Sequence, residues 1–417
     1  MNESRRPTDN DQARTPSIML YSHDGFGLGH LKRTVRIAQQ LRTRLPDALV
    51  LIVTSSPAAG HPLIPEAIDY IKLPSVTKTG TERYEPHLDA SLESVIELRS
   101  SLLLTAVQTV QPDILLVDHR PLGLKKEVLP TLEWIRANAP HIRTVVGLRD
   151  VVDDPHTVIR DWQNQDIYDA LNKLYDAILV YGDASVLDIT REYAMPGPVA
   201  RKVRFTGYLG SGKAKQTRDA VRRSLGLTSE RMVVVNVGGG GDGSELIKTY
   251  LDALPMLPDD IHSHIVTGPL MPCEERSRVR EDSQGPRVSF VEYQDDLASV
   301  IAAADLSVSM GGYNTVCEVL TADVPALIVP RIFPRKEQHI RARRLEARGL
   351  INVLASTSLN ADTLSAAVQQ SLAGPKGRYL PVALDGVGRA ADYILSLLPD
   401  SVVPSSISPE SRDVAWG

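Results

Sequence analysis

The feature that most constrains this chain is a repeated order: a short apolar, β-branched run, a turn, then a longer amphipathic stretch. SIMLYS (17–22), ALVLIVTSS (48–56), DILLVDH (113–119), RTVVGLRD (143–150) and DAILVYGD (176–183) are continuous apolar runs with little alternation. That is the pattern of strands covered on both faces. After the first run, Leu31, Val35, Ala38, Leu41 and Leu45 step by three and four and form one helical stripe. Strand, helix, strand in this order predicts a parallel sheet sandwiched by helices. After KVRFTGYLG (202–210) and the polar stretch SGKAKQTRD the order restarts, with MVVVNV (232–237), HSHIVTG (262–268), RVSFVEY (287–293), DLSVSM (305–310) and PALIVP (325–330), and INVLAS (351–356) as a possible last strand. The sequence therefore predicts two α/β domains, 16–207 and 208–386. A final amphipathic helix over 387–398 follows, and polar tails at 1–15 and 399–417 are expected to be disordered.

Composition removes several function classes. With 46 basic and 51 acidic residues the net charge is -5, which gives no support to a nucleic-acid surface. Cys273 and Cys317 are the only cysteines, too few and too far apart for a metal cluster or a disulfide scaffold. The N-terminus lacks the apolar segment of a secretory signal, and no apolar run is long enough to span a membrane. A cytoplasmic setting with no bound cofactor or metal is expected.

Three glycine clusters stand where strands give way to helices. The first is SHDGFGLGH (22–30), with three glycines in five residues and a histidine at the start of the helix. The second is Gly238 to Gly243 after VVVNV, and the third is SMGGYNTVCEVL (309–320). A helix N-terminus presents unpaired N–H groups and partial positive charge, and glycine lets a ligand approach the backbone; together these bind phosphate. The dinucleotide fingerprint fails in the first loop because His30 stands at its last glycine position. The second loop fits through Gly238, Gly240 and Gly243, but the following strand ends in Val266-Thr267-Gly268, without the ribose-binding acid. In the third cluster Glu318 lies one helical turn after Asn314, and a carboxylate there suits ribose hydroxyls better than phosphate. RKEQ (335–338) follows the next strand and places Glu337 and Gln338 just inside a helix.

With GLGH at the N-terminus, GGYNTVCEVLTADVPALIVP in the second half and RKEQ after it, the chain resembles glycosyltransferases of the GT-B fold. It is most similar to the family 28-like N-acetylglucosaminyltransferases that form lipid II. The resemblance implies two Rossmann-like domains facing across a cleft, with a nucleotide-sugar donor on the second and an acceptor on the first. It implies Glu318 on the ribose, Glu337 and Gln338 on the donor sugar, and Gly311, Gly312, Asn314 and Thr315 on the diphosphate. Tyr293 and Gln294 would lie against the base. Gly29, Gly239 and Gly240 complete the expected donor site.

A transferase needs a base for the acceptor proton, and His30 beside a candidate phosphate loop is the first candidate, with His23 and Asp24 as alternatives. His23, Asp118, His119 and Arg120 end strands of the first domain and are expected to line the acceptor site. No Asp-x-Asp motif at the end of an apolar run supports a metal-dependent route; the one such triplet, Asp9-Asn10-Asp11, lies in the polar N-terminal tail. Lys32, Arg33 and Arg36 read as a solvated helix face, with an anionic ligand as the alternative. RARRLEARG (341–349) reads as a charged helix exterior. A nucleotide-sugar hydrolase, an epimerase of the same fold, or a non-catalytic nucleotide-sugar-binding partner protein remain open. The acceptor, the base and the oligomeric state are not legible.

Overall fold

The computed structural model describes residues 14–23, 29–60, 63–78, 83–210, 212, 214–282, 285–374 and 381–399. The expected tails lie almost wholly outside them. Among these residues the chain builds two parallel sheets. The first contains β1 (Ser17–Ser22), β2 (Leu49–Thr54), β3 (Asp69–Lys72), β6 (Ile114–Asp118), β7 (Arg143–Arg149), β8 (Ala177–Tyr181) and β9 (Val203–Phe205), in the order β3-β2-β1-β6-β7-β8-β9. A short antiparallel pair, β4 (Val76–Lys78) and β5 (Tyr84–Pro86), stands apart from it. The second sheet contains β10 (Arg231–Asn236), β11 (Ile261–Val266), β12 (Val288–Val291), β13 (Leu306–Ser309), β14 (Ala326–Ile328) and β15 (Asn352–Val353), in the order β12-β11-β10-β13-β14-β15.

The apolar runs became central strands because both faces are covered: every residue of β1, β6 and β8 is buried. Three strands have no such run. β3 reads DYIK and is mostly exposed at the sheet edge, so it carries none of the apolar signal of its neighbours. The β4 and β5 strands are three residues each and stand outside the sheet.

In each sheet the strand order reverses beside the first strand, between β1 and β6 and between β10 and β13. Crevices at such switch points, at the carboxyl ends of the strands, are where open α/β sheets bind ligands. One hydrophobic cluster joins the two halves. It contains Leu31 and Val35 of helix Gly29–Arg44, Val316 and Leu320 of helix Tyr313–Ala322, and Ala390 and Ile394 of helix Gly386–Ser396. The last helix thus lies on the first one, with Arg44 paired to Asp392 at 3.3 Å. Burying each large side chain there contributes about 1.5–3 kcal/mol. Among the described residues no helix is long and apolar enough to cross a membrane. Both cysteines are free, Cys273 exposed and Cys317 buried.

Candidate active site

The two switch-point crevices open onto one cavity of about 250 Å³. From the first sheet it is lined by Gly29, His30, Lys32, Arg33 and Arg149, and from the second by Asn236, Gly238 and Gly239. Tyr293, Gln294, Gly312, Asn314, Thr315 and Glu318 complete it. Residues distant in sequence meet here because the strands that carry them end on the same side. Asp24 and the glycines at 25 and 27 lie outside the described residues.

His30 is the first candidate for chemistry. Helix Gly29–Arg44 places it against the end of β6, where its Nδ1 lies 2.6 Å from Asp118 Oδ2. Arg33 Nη2 also lies 2.9 Å from that nitrogen, and Arg33 bonds both oxygens of Asp118, at 3.3 Å and 2.9 Å. A guanidinium only donates, so the short contact to the carboxylate is satisfied when the proton sits on Nδ1. Nε2 then keeps its lone pair. Burial lowers His30 to about 4, with Arg33 acting in the same direction against the bond to Asp118. The imidazole is therefore neutral at neutral pH and can accept a proton. Burial opposes ionisation of Asp118, but Arg33 and His30 overcome it and hold that carboxyl below its usual range.

Asp118, expected to line the acceptor site, thus has both oxygens engaged by His30 and Arg33. Arg33 is only 2% exposed, so the expected solvated face is corrected at this residue: its charge is compensated by Asp118. Lys32 and Arg36 are corrected with it. Arg36 crosses to Glu318 at 3.0 Å, and Lys32 Nζ stands 5.6 Å from the centre of the Tyr293 ring. Burial lowers the Lys32 ammonium below its usual range, with Glu318 opposing. His23 packs edge-on to His30, ring centres 5.5 Å apart, and His119 lies 5.3 Å from it on another side. Burial holds both well below the ordinary histidine value, with Arg120 adding to the shift of His23 and Arg149 to that of His119. Among the described residues no group of three or more His, Cys, Asp or Glu is arranged to hold a metal ion.

The elements expected to bind phosphate are helix starts. Helix Tyr313–Ala322 follows Gly312 and has no side-chain cap, so its first N–H groups are available at the cavity wall. Gly311 has φ 83, a left-handed conformation that glycine adopts without strain, and a Cβ there would stand 2.7 Å from Ile328. Asn314 Nδ2 donates to the carbonyl of Gly29 at 3.2 Å, tying this helix start to the other. Gly240 has a different explanation. Its φ is 93 and a Cβ would meet the Thr267 carbonyl at 2.2 Å, so it packs one loop onto another rather than lining the cavity. Glu337 and Gln338 do not line it either. Glu337 takes Arg331 Nη2 at 2.7 Å, and Gln338 Oε1 takes the Arg331 backbone N–H at 3.3 Å. Burial opposes ionisation of Glu337, but Arg149 and Arg331 hold it below the usual carboxylate range.

Sequence reasoning missed two residues. Arg149, at the end of β7, lines the cavity, and burial pushes it down to about 10. Arg341, expected on a helix exterior, is 1% exposed. It bonds both oxygens of Asp150 at 2.7 Å and donates to the Gly311 carbonyl at 3.2 Å. Arg33 and Arg341 each stand 5.5 Å from the centre of the Tyr313 ring, whose hydroxyl donates to the Tyr181 carbonyl. A basic residue at the end of a strand was the available signal for Arg149. Nothing local marked Arg341.

Comparison with known proteins bears on the fold. Residues 233–380 match the model of the glycosyltransferase family 28 C-terminal domain. A UDP-N-acetylglucosamine--N-acetylmuramyl-(pentapeptide) pyrophosphoryl-undecaprenol N-acetylglucosamine transferase of Caldanaerobacter subterraneus is 26% identical over 184 residues, which is 42% of this chain and 50% of that protein. The chain spans about half the length of the curated relatives it matches. Among solved structures, the kitacinnamycin glycotransferase superposes with a TM-score of 0.63 at 16% identity, covering 93% of this chain and 100% of that one. The MurG of Acinetobacter baumannii superposes with a TM-score of 0.56 at 14% identity, covering 92% and 99%. The fold is the two-domain GT-B fold expected from the sequence.

Proposed function

We propose that the chain transfers a sugar from a nucleotide-sugar, UDP- or dTDP-linked, to a hydroxyl or amine acceptor, in a cytoplasmic setting and without a metal. Residues 208–386 would hold the donor and 16–207 the acceptor. The observation that carries this reading is the shared cavity, in which a neutral His30 backed by Asp118 faces the uncapped helix start at Gly312–Thr315 and the carboxylate of Glu318.

In this reading the acceptor oxygen or nitrogen attacks the sugar carbon that bears the diphosphate, and His30 Nε2 takes its proton. The bond from that carbon to the diphosphate breaks, and the charge on the leaving group meets the helix N–H groups and the nearby cations Lys32 and Arg149. Asp118 holds the ring in its tautomer and stabilises the imidazolium as it forms, the division of roles seen wherever a carboxylate backs a histidine base. Glu318 receives the ribose hydroxyls, and Tyr293 and Gln294 flank the base.

A thermal-shift panel of UDP, dTDP, GDP, ADP and NADH tests the donor assignment. A ligand at a hundredfold excess over its Kd stabilises the folded chain by about 2.7 kcal/mol. A shift with a pyrimidine diphosphate is the expected result. No shift with any diphosphate, or one with NADH alone, refutes it.

A further inference from the structure

A second cavity of about 450 Å³ lies on the first-sheet side, and His119 lines it. Its walls have two characters. Tyr84, Trp162, Val158 and Ile167 present flat and apolar surface, while Arg120, Lys125, Lys126 and Arg335 present cations. Two acids face them, Asp153 and Asp161, and both have partners: Asp153 accepts the Lys336 backbone N–H at 2.8 Å and pairs with Arg335 at 4.0 Å, and Asp161 pairs with Arg160. Arg120, Lys125 and Lys126 form no ion pair among the described residues. Among the described residues the Arg120 side chain reaches the Tyr84 hydroxyl, at 3.4 Å, and Lys125 Nζ stands 6.0 Å from the centre of that ring.

The segment that carries the lysines is braced. Lys125 and Lys126 have φ of 48 and 67, left-handed conformations that residues with a Cβ adopt rarely, and two in succession need support from their surroundings. The support is Glu127, 2% exposed. It takes the Leu124 backbone N–H at 3.2 Å, Arg99 Nη2 at 2.7 Å, and the Tyr21 hydroxyl. His119 adds a donor. Its Nε2 lies 2.9 Å from Arg149 Nη2, which cannot accept, so the proton is on Nδ1, and Nδ1 has no partner among the described residues. Among the described residues the buried His119 Nδ1 and the cations Arg120, Lys125 and Lys126, the two lysines exposed at the cavity mouth, have no anionic partner, and an anion in the cavity would supply one.

Building on the transfer reading, we propose that this cavity is the acceptor site and that the acceptor carries a carboxylate or phosphate group, held by Arg120, Lys125 and Lys126 with its apolar body against Trp162. The nucleophilic end then lies past His119 towards His30, whose ring is 5.3 Å away.

The test is calorimetry with the full chain saturated with UDP. The probes are 4-hydroxybenzoate and 4-hydroxyphenyl phosphate, with uncharged 4-hydroxybenzamide as the control. Both anions are expected to bind about tenfold tighter than the amide, the scale of a charge-assisted contact. In Lys125→Gln/Lys126→Gln that preference should shrink to about twofold while UDP binds as before, which shows the chain is folded. Arg120→Gln serves in place of the double variant if the latter does not fold. Anionic groups also occur on lipid headgroups. Co-sedimentation with phosphatidylglycerol vesicles but not phosphatidylcholine vesicles, lost in the lysine variant, would support the same site with a lipid source. Equal affinity for acid and amide with no vesicle preference overturns the proposal, as does a preference that survives both the lysine and the Arg120 replacements. A chain that fails to bind UDP overturns the transfer reading and the acceptor assignment with it.

Discussion

Arg341→Met should destabilise this protein more than any other surface-like charge replacement in its helix. The guanidinium makes two bonds of 2.7 Å to Asp150 and a third to the Gly311 carbonyl, and it is almost fully buried. Removing it strands the Asp150 carboxylate, which is 3% exposed and, among the described residues, keeps only the Val151 N–H at 2.8 Å. Breaking a buried pair from one side costs about 3–5 kcal/mol, because the remaining charge is neither solvated nor paired. At about 2–4 °C per kcal/mol this amounts to a fall of about 6–20 °C in Tm. Asp150→Asn should cost a similar amount by the opposite route. The double variant should be less destabilised than the sum of the two, since no buried charge is left. Urea unfolding at neutral pH, followed by circular dichroism, measures all three. If Arg341→Met costs under about 1 kcal/mol, the pair is no stronger than an exposed one and the reasoning fails.

Asp118→Asn should lower turnover by about 10²–10⁴ with donor affinity nearly unchanged, because it removes the acceptor for the His30 proton; equal loss of both in steady-state and binding assays would make the pair structural. His30→Ala should likewise cut turnover far more than nucleotide affinity. Glu318→Ala should weaken UDP by about 1.5–3 kcal/mol, the scale of a hydrogen bond to a charged group, and unchanged affinity in calorimetry would end the ribose assignment. Stability should fall as pH drops from about 6.5 towards 4. His30 is lowered to about 4 and His23 and His119 are also depressed, so below about 6.5 the unfolded chain binds protons that the folded chain does not. His30 alone accounts for up to ~3 kcal/mol. A flat profile of urea midpoint over that range would contradict the burial of these rings. Bound UDP adds negative charge to the cavity, so the His30 titration followed by NMR should move upward on its addition.

What the sequence determined by itself is local and periodic. Apolar runs without alternation marked the central strands of both sheets. Glycines at strand ends marked the loops that line the cavity, and the helix start after Gly312 placed Asn314, Thr315 and Glu318 on one face. His30 stood out as a candidate base from its place at a helix start beside such a loop, although a histidine there often only caps or packs.

Only the tertiary structure decided which charges are buried and with whom. Arg33 meets Asp118 across 85 residues and Arg341 meets Asp150 across 191. No periodicity carries that pairing, so arginines on a helix read by default as solvated. Contacts beyond the local sequence also shape the second cavity. Lys125 and Lys126 are two ordinary lysines until Glu127 and Arg99 fold a left-handed turn beneath them, and a helix that reads as exposed charge turns out to hold the two halves together. Strand and loop identity follow from the neighbours a residue has along the chain. Ionisation, tautomer and ligand preference follow from neighbours it gains only when both sheets close on the same cavity.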